Sequence, residues 1–506
     1  MSSVELRQSA PVTVERALGL SARRHPDKVA VRHGNTAVTF AELDARAAAL
    51  AAGLSAAGLV RGDRVAVLLP NCIDYIVVAI ACAKGSLCMV PVNYRFKGAE
   101  IRQQVEDCGA AALIHDPIFA QQIIDSALPP HVRIFRRGWE LEDLLASSVS
   151  VHQLRQAEEK DLFYLGYTSG TTGKPKGAMV TQRNRALAYH YWALEFGIGP
   201  DDVALHSGPF HHTAPFTFTL TQLFMGGEVV ILDAFDATAA VEAIRKHEVT
   251  WSFMVPFMLE RLLETDIDSS AARSLRMLIS GASPLSTRTK NRVLERFPGV
   301  ALHEFYGATE AGVVTNLRPP DQLRKTRCVG QPVADIEVEI RDETGRRIVE
   351  PGRVGDIWLR GPTLFSGYYD APQKTAEVSD GQWCTLGDIG HLDEEGFLYL
   401  VDRRKDVIKS GGVNIYPLEI EEVILLDPAV RECAVTGLKD ERWGEAACAF
   451  LVLEPNADAR AVRERVQELC REALADYKRP KLFRCVETLP RNANGKVLKR
   501  ELRTSC

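Results

Sequence analysis

Residues 164–177 read YLGYTSGTTGKPKG, and they carry more information on fold and chemistry than any other stretch of the chain. Four glycines let backbone N–H groups turn toward a bound anion without a Cβ in the way. The polar side chains that could contact such an anion are Ser169, Thr171, Thr172, Lys174 and Lys176. The pattern differs from a Walker A loop, because the spacing G-x-x-x-x-G-K-[ST] is absent and a proline follows the first lysine. It predicts a loop that holds the phosphates of a nucleotide.

Strand-like runs alternate with helical stretches on both sides of this loop. The β-rich runs include 63–70, 86–93, 109–116, 226–233 and 249–256, and helical periodicity marks 99–109, 237–248 and 287–297. Strands that alternate with helices of about ten residues predict parallel sheets covered by helices. From about residue 327 the alternation has a period of two and carries turn residues, which indicates antiparallel strands or a small barrel.

The segment DRRKD at 402–406 is a run without apolar residues that marks a domain boundary. About 100 residues follow it, which is enough for a small α/β domain. We therefore predict a first domain at 1–402, with a β-rich subdomain at about 327–402. A hinge at 403–406 and a second domain at 407–506 complete the predicted organisation.

Composition excludes several classes of protein. The formal net charge of −5 argues against a general nucleic-acid binder. The apolar run at 75–83 is too short to span a bilayer, so it predicts a buried helix. Eleven cysteines without a C-x-x-C pair fit small core residues of a reducing cytoplasm, not a disulfide frame or a zinc site.

Six further segments follow one another in a fixed order. They are PFHHTAPF at 209–216, SGASPL at 280–285, FYGATE at 305–310, TLGDIG at 385–390, VDRRKDVIKSGGVNIYP at 401–417 and PRNANGKVLKREL at 490–502. Together with the loop at 164–177 they resemble the motifs of the adenylate-forming enzymes, and in detail those of fatty-acid and 4-chlorobenzoate or 4-coumarate CoA ligases. The resemblance implies an α/β fold with a large N-terminal domain of helix-covered sheets, a small β-barrel-like subdomain and a small mobile C-terminal α/β domain.

The motif FYGATE places polar side chains after a glycine turn at a strand end, where nucleotides bind in open α/β sheets. Glu310 could hold Mg²⁺, Thr309 could donate to the α-phosphate, and Tyr306 offers a ring to adenine. The resemblance implies the same roles, and it implies that Asp388 binds the ribose with help from Arg403. The full set of predicted ATP and AMP contacts is Thr168, Ser169, Gly170, Thr171, Thr172, Gly173, Lys174, Lys176, Gly281, Ala282, Tyr306, Gly307, Thr309, Asp388 and Arg403.

The resemblance also assigns roles near the C-terminus. Lys496, in NANGK, corresponds to the lysine that bridges the attacking carboxylate and the α-phosphate, where a cation lowers the repulsion between two anions. Lys405 corresponds to the hinge position. The predicted contacts of CoA are Gly411, Gly412, Trp443, Tyr477 and Arg479.

The predicted acyl pocket is apolar or weakly polar. Its candidate residues are Phe210, His211, Phe216, Met254, Phe257, Gly281 and Phe305, and His212 is predicted to line the pocket and to gate thiol entry. These residues favour a hydrophobic acid: aryl, alicyclic or medium-chain. No aspartate for an α-amine stands near HHTAPF, and no arginine for a dicarboxylate stands in these pocket segments.

The sequence therefore predicts a cytoplasmic, ATP-dependent acid–CoA ligase that forms acyl-AMP and then the CoA thioester. Its predicted small molecules are the acid, ATP, Mg²⁺ and CoA, with no nucleic acid and no transmembrane segment; a homodimer stays open. Three alternatives also stay open: loading of a free carrier protein, a luciferase-like monooxygenase, and a non-catalytic acyl-nucleotide sensor.

Overall fold

The computed structural model describes residues 10–146, 156–168, 175–265, 272–411, 413–491 and 497–504. The chain divides into two compact units, one formed by residues up to 337 with 359–382, and the other by 338–358 with the residues from 383 onward. Helices and strands alternate through the first unit, and the predicted α/β class is confirmed. The predicted boundary at 402–406 stays a prediction.

The first unit contains parallel strands followed by helices. Its strands are β1 (Val29–His33), β2 (Thr36–Thr39), β3 (Arg64–Leu68), β4 (Cys88–Pro91), β5 (Ala112–His115), β6 (Arg133–Arg136), β7 (Leu162–Thr168), β8 (Lys176–Thr181), β9 (Val203–His206), β10 (Glu228–Ile231), β11 (Trp251–Phe253), β12 (Met277–Ser280), β13 (Ala301–Ala308), β14 (Gly312–Leu317) and β15 (Gln331–Pro332). Its helices are α1 (Val14–Arg24), α2 (Phe40–Ala56), α3 (Ile73–Lys84), α4 (Gly98–Asp107), α5 (Ala120–Ser126), α6 (Glu140–Leu145), α7 (Gln182–Phe196), α8 (Thr213–Met225), α9 (Ala237–Lys246), α10 (Pro256–Glu264), α11 (Thr287–Arg296) and α12 (Pro372–Ala376).

These strands form two sheets. One has the order β15-β14-β13-β12-β11-β9-β10-β1-β2 and the other β6-β5-β3-β4-β7-β8. The inner strands pair in parallel, as predicted, whereas β2, β14, β15 and β8 pair antiparallel at the edges. The antiparallel partners β8 and β14 each follow directly on a parallel strand, so the chain reverses at the ends of β7 and β13.

Two helices that reach the candidate site have well-defined ends. The hydroxyl of Thr181 accepts from the backbone N–H of Asn184 at the start of α7, and α7 ends at Gly197 with φ of 60°. Helix α8 begins after His212 and ends at Gly226 with φ of 83°. Glycine at these ends permits the left-handed conformation that terminates a helix.

The second unit carries mostly antiparallel strands. Its strands are β16 (Glu337–Arg341), β17 (Arg347–Ile348), β18 (Gly355–Arg360), β19 (Cys384–Leu392), β20 (Leu398–Arg403), β21 (Ile408–Ser410), β22 (Val413–Ile415), β23 (Val430–Asp440), β24 (Gly444–Leu453) and β25 (Leu482–Cys485), and its helices are α13 (Pro417–Ile424), α14 (Ala459–Ala473) and α15 (Lys499–Thr504). One sheet has the order β17-β16-β18-β19-β20, and the other β22-β21-β24-β23 with β25 beside β24. The pairs β16–β17, β19–β20 and β23–β24 are antiparallel. For the first of these sheets, the sequence period of two predicted antiparallel strands.

Helix α14 ends at Ala473, before the next apolar residue of the segment, Leu474. Val462, Val466 and Cys470 face the core, but Leu474 takes an extended conformation with φ of −119° and ψ of 141°. Tyr477 then lies in a separate 3₁₀ turn and is 49% exposed. The helix therefore ends before Tyr477, a predicted CoA residue, and the chain turns at the buried Leu474.

Helix α3 is buried along its length, as the apolar run at 75–83 predicted. A membrane crossing needs a longer apolar helix than any that the described part of the chain contains. The cysteines among the described residues carry free thiols and are mostly buried, which fits their predicted place as small core residues.

Candidate active site

Glu310 lies just beyond the end of β13 and is held by two hydroxyl groups. Thr168, the last residue of β7, donates from Oγ1 to Glu310 Oε1 at 3.1 Å, and the Tyr368 hydroxyl donates to the same oxygen at 3.0 Å. The backbone N–H of Phe365 donates to the Glu310 carbonyl at 2.7 Å. Because both side-chain donors use Oε1, Oε2 has no donor among the described residues. A carboxylate oxygen left in this way suits Mg²⁺, which binds through one or two carboxylates plus phosphate oxygens.

Thr309 ends a chain of three hydroxyl groups. Its Oγ1 is hydrogen-bonded to Thr213 Oγ1 at 3.0 Å, and Thr213 Oγ1 is hydrogen-bonded to the Tyr164 hydroxyl at 3.3 Å. A Cβ at Gly166 would lie 2.4 Å from Thr309 Cγ2, so glycine is needed there for β7 to approach. Strand β7, the first turn of α8 and the end of β13 therefore meet at Thr309.

The phosphate loop is described only at its two ends. Thr168 and Lys176 pair across β7 and β8, and Lys176 Nζ lies 4.9 Å from the centre of the Tyr368 ring. The predicted contacts between these ends lie outside the described residues: Ser169, Gly170, Thr171, Thr172, Gly173 and Lys174.

The other nucleotide residues of the first unit lie at strand ends. Tyr306 pairs with Thr315 across β13 and β14. A Cβ at Gly307 would stand 1.9 Å from the Gly312 carbonyl oxygen, so a side chain does not fit. Ala282 takes a positive φ of 69° just after β12. The chain thus bends sharply in both motifs that the sequence assigned to the nucleotide.

Three residues of the predicted acyl pocket are buried aromatics: Phe210, Phe216 and Phe305. Phe216 stacks on Tyr164 with ring centres 5.8 Å apart, and Phe210 lies 6.5 Å from Phe216. Phe305 packs against Phe253 at 5.8 Å, and Met254 is fully buried.

The predicted pocket residues Gly281 and Phe257 have different surroundings. A Cβ at Gly281 would lie 2.6 Å from Phe305 Cε1, which places Gly281 directly against the aromatic group. Phe257 is 59% exposed, and the Arg261 guanidinium lies 5.4 Å from its ring centre. Its place in the pocket stays a prediction.

His211 and His212 form a half-buried pair before α8. Their ring centres are 4.3 Å apart. The rings of Tyr94 and His211 meet edge to face, with their centres 4.7 Å apart. Burial lowers the pKa of His211 to about 2 and that of His212 to about 4, with a further contribution from the charge of Arg95. Both imidazoles are therefore neutral at pH 7 and add no positive charge to this region.

In the second unit, Asp388 and Arg403 are cross-strand neighbours on β19 and β20. Arg403 Nε lies 3.2 Å from Asp388 Oδ1, and the aspartate is buried whereas the arginine is exposed. Lys405 follows β20 in an exposed turn. The sequence assigned the ribose to the first two residues and the hinge to the third, and these roles stay predictions.

Two of the predicted CoA residues touch each other. Gly411 has φ of 57°, its N–H donates to the Trp443 carbonyl at 2.8 Å, and a Cβ there would lie 2.8 Å from the Trp443 ring. The Trp443 ring is 41% exposed, and the Arg442 guanidinium lies 4.8 Å from its centre. Gly412 and the predicted adenylation residue Lys496 lie outside the described residues.

Arg479 is bound within its own segment. Nε donates to the Leu474 carbonyl and Nη2 to the Arg471 carbonyl, both at 2.9 Å, and Nη1 forms an ion pair with Asp476. A phosphate would have to displace these partners, which weakens the sequence-based role of Arg479 without testing it.

Sequence analysis missed Arg185, a buried arginine on α7. Its Nη1 donates to Thr217 Oγ1 at 3.0 Å, and its guanidinium lies 5.6 Å from the centre of the Tyr164 ring. The signal was present, because Arg185, Tyr189, Trp192 and Phe196 share the helical spacing of the buried face.

Comparison with known proteins gives a consistent result. The family model described as "AMP-binding enzyme" matches residues 19–369, and "AMP-binding enzyme C-terminal domain" matches 419–496. The chain is 37% identical over 486 residues to a feruloyl-CoA synthase of Amycolatopsis, with 95% of this chain and 96% of that protein covered.

Solved structures agree with the family models. The o-succinylbenzoate CoA synthetase of Bacillus subtilis, in complex with the acyl-adenylate OSB-AMP, is 31% identical with a TM-score of 0.87 and covers 96% of this chain and 97% of its own. Another structure of that enzyme holds ATP and a magnesium ion. ATP-bound MatB from Rhodopseudomonas palustris is 30% identical with a TM-score of 0.89, over 98% of this chain and 99% of that one.

Proposed function

This chain belongs to the AMP-binding enzyme family and is an AMP-forming acid–CoA ligase; we propose that the acid it activates has an apolar body, aryl, alicyclic or medium-chain. Its substrates besides the acid are ATP and CoA, and Mg²⁺ is its metal ion. The proposal rests on one observation. The aromatic residues of the predicted acyl pocket adjoin the hydroxyl chain that ends at Thr309, because Phe216 stacks on Tyr164 and Tyr164 is hydrogen-bonded to Thr213.

In the first half-reaction the carboxylate of the acid attacks the α-phosphate of ATP, which gives acyl-AMP and pyrophosphate. Thr309 would donate its hydroxyl proton to an α-phosphate oxygen, and its hydrogen bond with Thr213 supports this role because it limits the rotation of the hydroxyl. Glu310 would hold Mg²⁺, whose charge offsets that of the phosphates. Lys496 would bridge the carboxylate and the α-phosphate and so reduce the repulsion between them.

In the second half-reaction the CoA thiol attacks the acyl carbonyl carbon and AMP leaves. Gly411 with its positive φ and close contact to Trp443 supports a narrow passage for the pantetheine arm, since a side chain there would meet the indole. We propose that the C-terminal domain rotates about Lys405 between the half-reactions, so that Lys496 serves the first and the Gly411 segment the second.

The neutral state of the two histidines supports an uncharged lining around the body of the acid. Protonated imidazoles would favour an anionic group there, but burial keeps both rings neutral near pH 7. The buried phenylalanines supply the remaining apolar contacts, which are worth about 0.8 kcal/mol for each CH₂ group of the acid that they cover.

The test is a panel of acids scored in two stages, first for pyrophosphate release and then for thioester formation. We expect aryl, alicyclic or medium-chain acids to exceed acetate and α-amino acids in kcat/KM by at least about tenfold. Preference for acetate or an amino acid would contradict the proposed acid class.

The same panel separates the acceptors. CoA, pantetheine and a free carrier protein are offered to the acyl-AMP formed from the best acid. Thioester formation with the carrier protein but not with CoA would identify the carrier protein as the acceptor. Absence of pyrophosphate release with every acid would leave only the role of an acyl-nucleotide sensor.

A further inference from the structure

Arg185 is a buried cation without an acidic partner among the described residues. The side chain lies on the inner face of α7, with 4% of the residue exposed, and its one hydrogen bond there joins Nη1 to the neutral hydroxyl of Thr217. Lys290, the other buried cation in the described part of the chain, faces the carboxylate of Glu304. A buried guanidinium loses hydration that one hydroxyl contact and the face of the Tyr164 ring replace only in part, so its retention favours an anionic ligand.

The surroundings of Arg185 provide hydroxyl groups for an anion. Tyr189 lies one helical turn further along α7, on the same face, and its buried hydroxyl has no hydrogen-bond partner among the described residues. Thr217 contributes the hydroxyl that already contacts Nη1. Arg185 leaves Nε and Nη2 without a partner in the described part of the chain, and these nitrogens belong to the planar fork that matches a carboxylate.

Arg185 is also close to the reaction centre through α8. Thr213, in the first turn of α8, contacts Thr309, and Thr217 follows one turn later and contacts Arg185. One turn of helix is about 5.4 Å, so the two contacts are separated by little more than the width of an aromatic ring. The Tyr164 ring lies beside both, since its hydroxyl contacts Thr213 and its face lies near the guanidinium.

We propose that Arg185 is a specificity-determining residue that binds a second carboxylate, at the end of the substrate remote from the carboxylate that is adenylated. The substrate class is then a dicarboxylic acid with an apolar body between the two groups. This inference rests on the proposed function and names its substrate more closely. The pocket segments themselves hold no arginine, but Arg185 reaches the same helix from α7.

The distal carboxylate replaces the missing counter-ion. It would accept from Nε or Nη2 of Arg185 and from the Tyr189 hydroxyl, while the apolar body lies against Phe216 and Tyr164. A monocarboxylic acid of the same skeleton would leave the guanidinium unpaired in the complex. Charged pairs of this kind discriminate strongly, because an unmatched analogue leaves a buried charged group unsatisfied.

The test compares acids that share a skeleton and differ only at the remote end. One series is para-substituted cinnamate with methyl, hydroxyl, carboxamide or carboxylate, and the other is octanoate against suberate. The measured quantity is kcat/KM for pyrophosphate release by the full-length enzyme with Mg·ATP. For the wild type we expect the carboxylate member of at least one series to exceed its methyl partner by tenfold or more.

Two variants assign that preference to Arg185. In Arg185→Met, which keeps an unbranched apolar stem but removes the guanidinium and its charge, the carboxylate-to-methyl ratio should fall below one. In Arg185→Lys the ratio should stay above one, because the charge is kept and only the fork is lost. Thr217→Val, a change of similar volume, should reduce the ratio without abolishing it, and thermal melting shows whether each variant is folded.

The outcomes separate the two proposals. A wild type that prefers the methyl partner in both series, or a carboxylate preference that Arg185→Met leaves unchanged, overturns the inference and leaves the ligase assignment intact. A preference for the hydroxyl or carboxamide member that depends on Arg185 would overturn the proposed carboxylate and indicate that Arg185 binds a neutral polar group. Failure of every acid to release pyrophosphate would count against the proposed function itself.

Discussion

Glu310 illustrates how neighbouring hydroxyls can orient a carboxylate for a metal ion. Thr168 and Tyr368 both donate to Oε1, so the carboxylate cannot rotate freely and Oε2 is directed away from these donors. The two donors come from β7 and from a segment almost sixty residues beyond the motif. The sequence identified Glu310 through FYGATE but gave no sign of Tyr368.

For Glu310→Gln we expect a fall in kcat/KM for adenylation of about 10²-fold or more, since one charge that acts on the phosphates is lost. The requirement for Mg²⁺ should shift to higher concentration at the same time. Steady-state pyrophosphate release across a magnesium titration measures both quantities. Tyr368→Phe is the matched control, because it removes one donor to Oε1 and keeps the charge, so its loss should be at least tenfold smaller. Equal losses in the two variants would mean that Glu310 acts through local packing and not through its charge.

Gly281 is the residue at which a wall of the pocket is most directly testable. A Cβ there meets the Phe305 ring at 2.6 Å, so any larger side chain must displace that ring or fill space beside it. For Gly281→Leu we expect the ratio of kcat/KM between long and short acids to fall at least about tenfold, because each excluded CH₂ forfeits about 0.8 kcal/mol. Octanoate against propionate gives the ratio, and Gly281→Ala should give a smaller change. A uniform loss over all chain lengths would remove Gly281 from the pocket wall.

At the scale of elements, the alternation of apolar runs and helical stretches predicted the parallel centre of both sheets. It did not predict that β8 and β14 reverse direction, because a strand's neighbours depend on turns that periodicity does not describe. These reversals bring Thr168 beside Glu310, which no spacing in the sequence implies.

The burial of Arg185 had a sequence signal, but its contact did not. Helical spacing places Arg185 on the apolar face of α7, so the apolar pattern carried a sign of the buried charge that the sequence analysis did not use. That Thr217 of α8 is the neighbour follows from tertiary packing alone. The end of α14 likewise depends on packing, because the helix stops at Leu474, which is buried in an extended conformation.

The segment after β20 carries the proposed pivot, and Lys405→Pro tests it. Proline fixes φ and stiffens the backbone, so rotation about this position should be impaired. We expect acyl-AMP formation to persist and thioester formation to fall by about tenfold or more. Rapid-quench assays of the two half-reactions provide the measurement.

Lys496→Ala provides the opposite pattern as a control for the pivot. It should reduce acyl-AMP formation by about 10²–10³-fold and spare thioester formation from supplied acyl-AMP. If both variants lose both half-reactions equally, neither the pivot nor the separate roles of the two segments would stand.

At the scale of the whole molecule, several buried histidines tie stability to pH. Burial lowers the pKa of His206 to about 3 and that of His303 to about 4, beside the lowered values of His211 and His212. Unfolded histidines bind protons below about pH 6.5, whereas these folded ones do not until much lower pH. The contribution of these histidines to the free energy of unfolding should therefore be complete above pH 6.5. It should decrease as the pH falls toward 4, by up to about 1.4 kcal/mol per pH unit for each histidine.

His206→Phe isolates one of these contributions. The His206 ring meets Trp251 edge to face at 5.4 Å, and its buried Nε2 has no hydrogen-bond partner within the described ranges, so a phenyl ring should fit. Chemical denaturation at pH 5 and pH 7.5 should show a smaller difference in unfolding free energy for the variant than for the wild type. An identical difference would mean that His206 is protonated in the folded protein or does not contribute.

The burial of the cysteines has a practical consequence for following this enzyme at work. Burial raises the pKa of Cys72 and Cys470 to about 11 and of Cys82 to about 12, so these thiols present little thiolate to an alkylating reagent. Among the described cysteines Cys485 alone is exposed, on β25 in the second unit. A maleimide dye should thus attach there first once Cys506 is replaced by serine. The Cys506→Ser chain would then carry its first fluorescent label at Cys485 in the second unit, without the removal of any core residue.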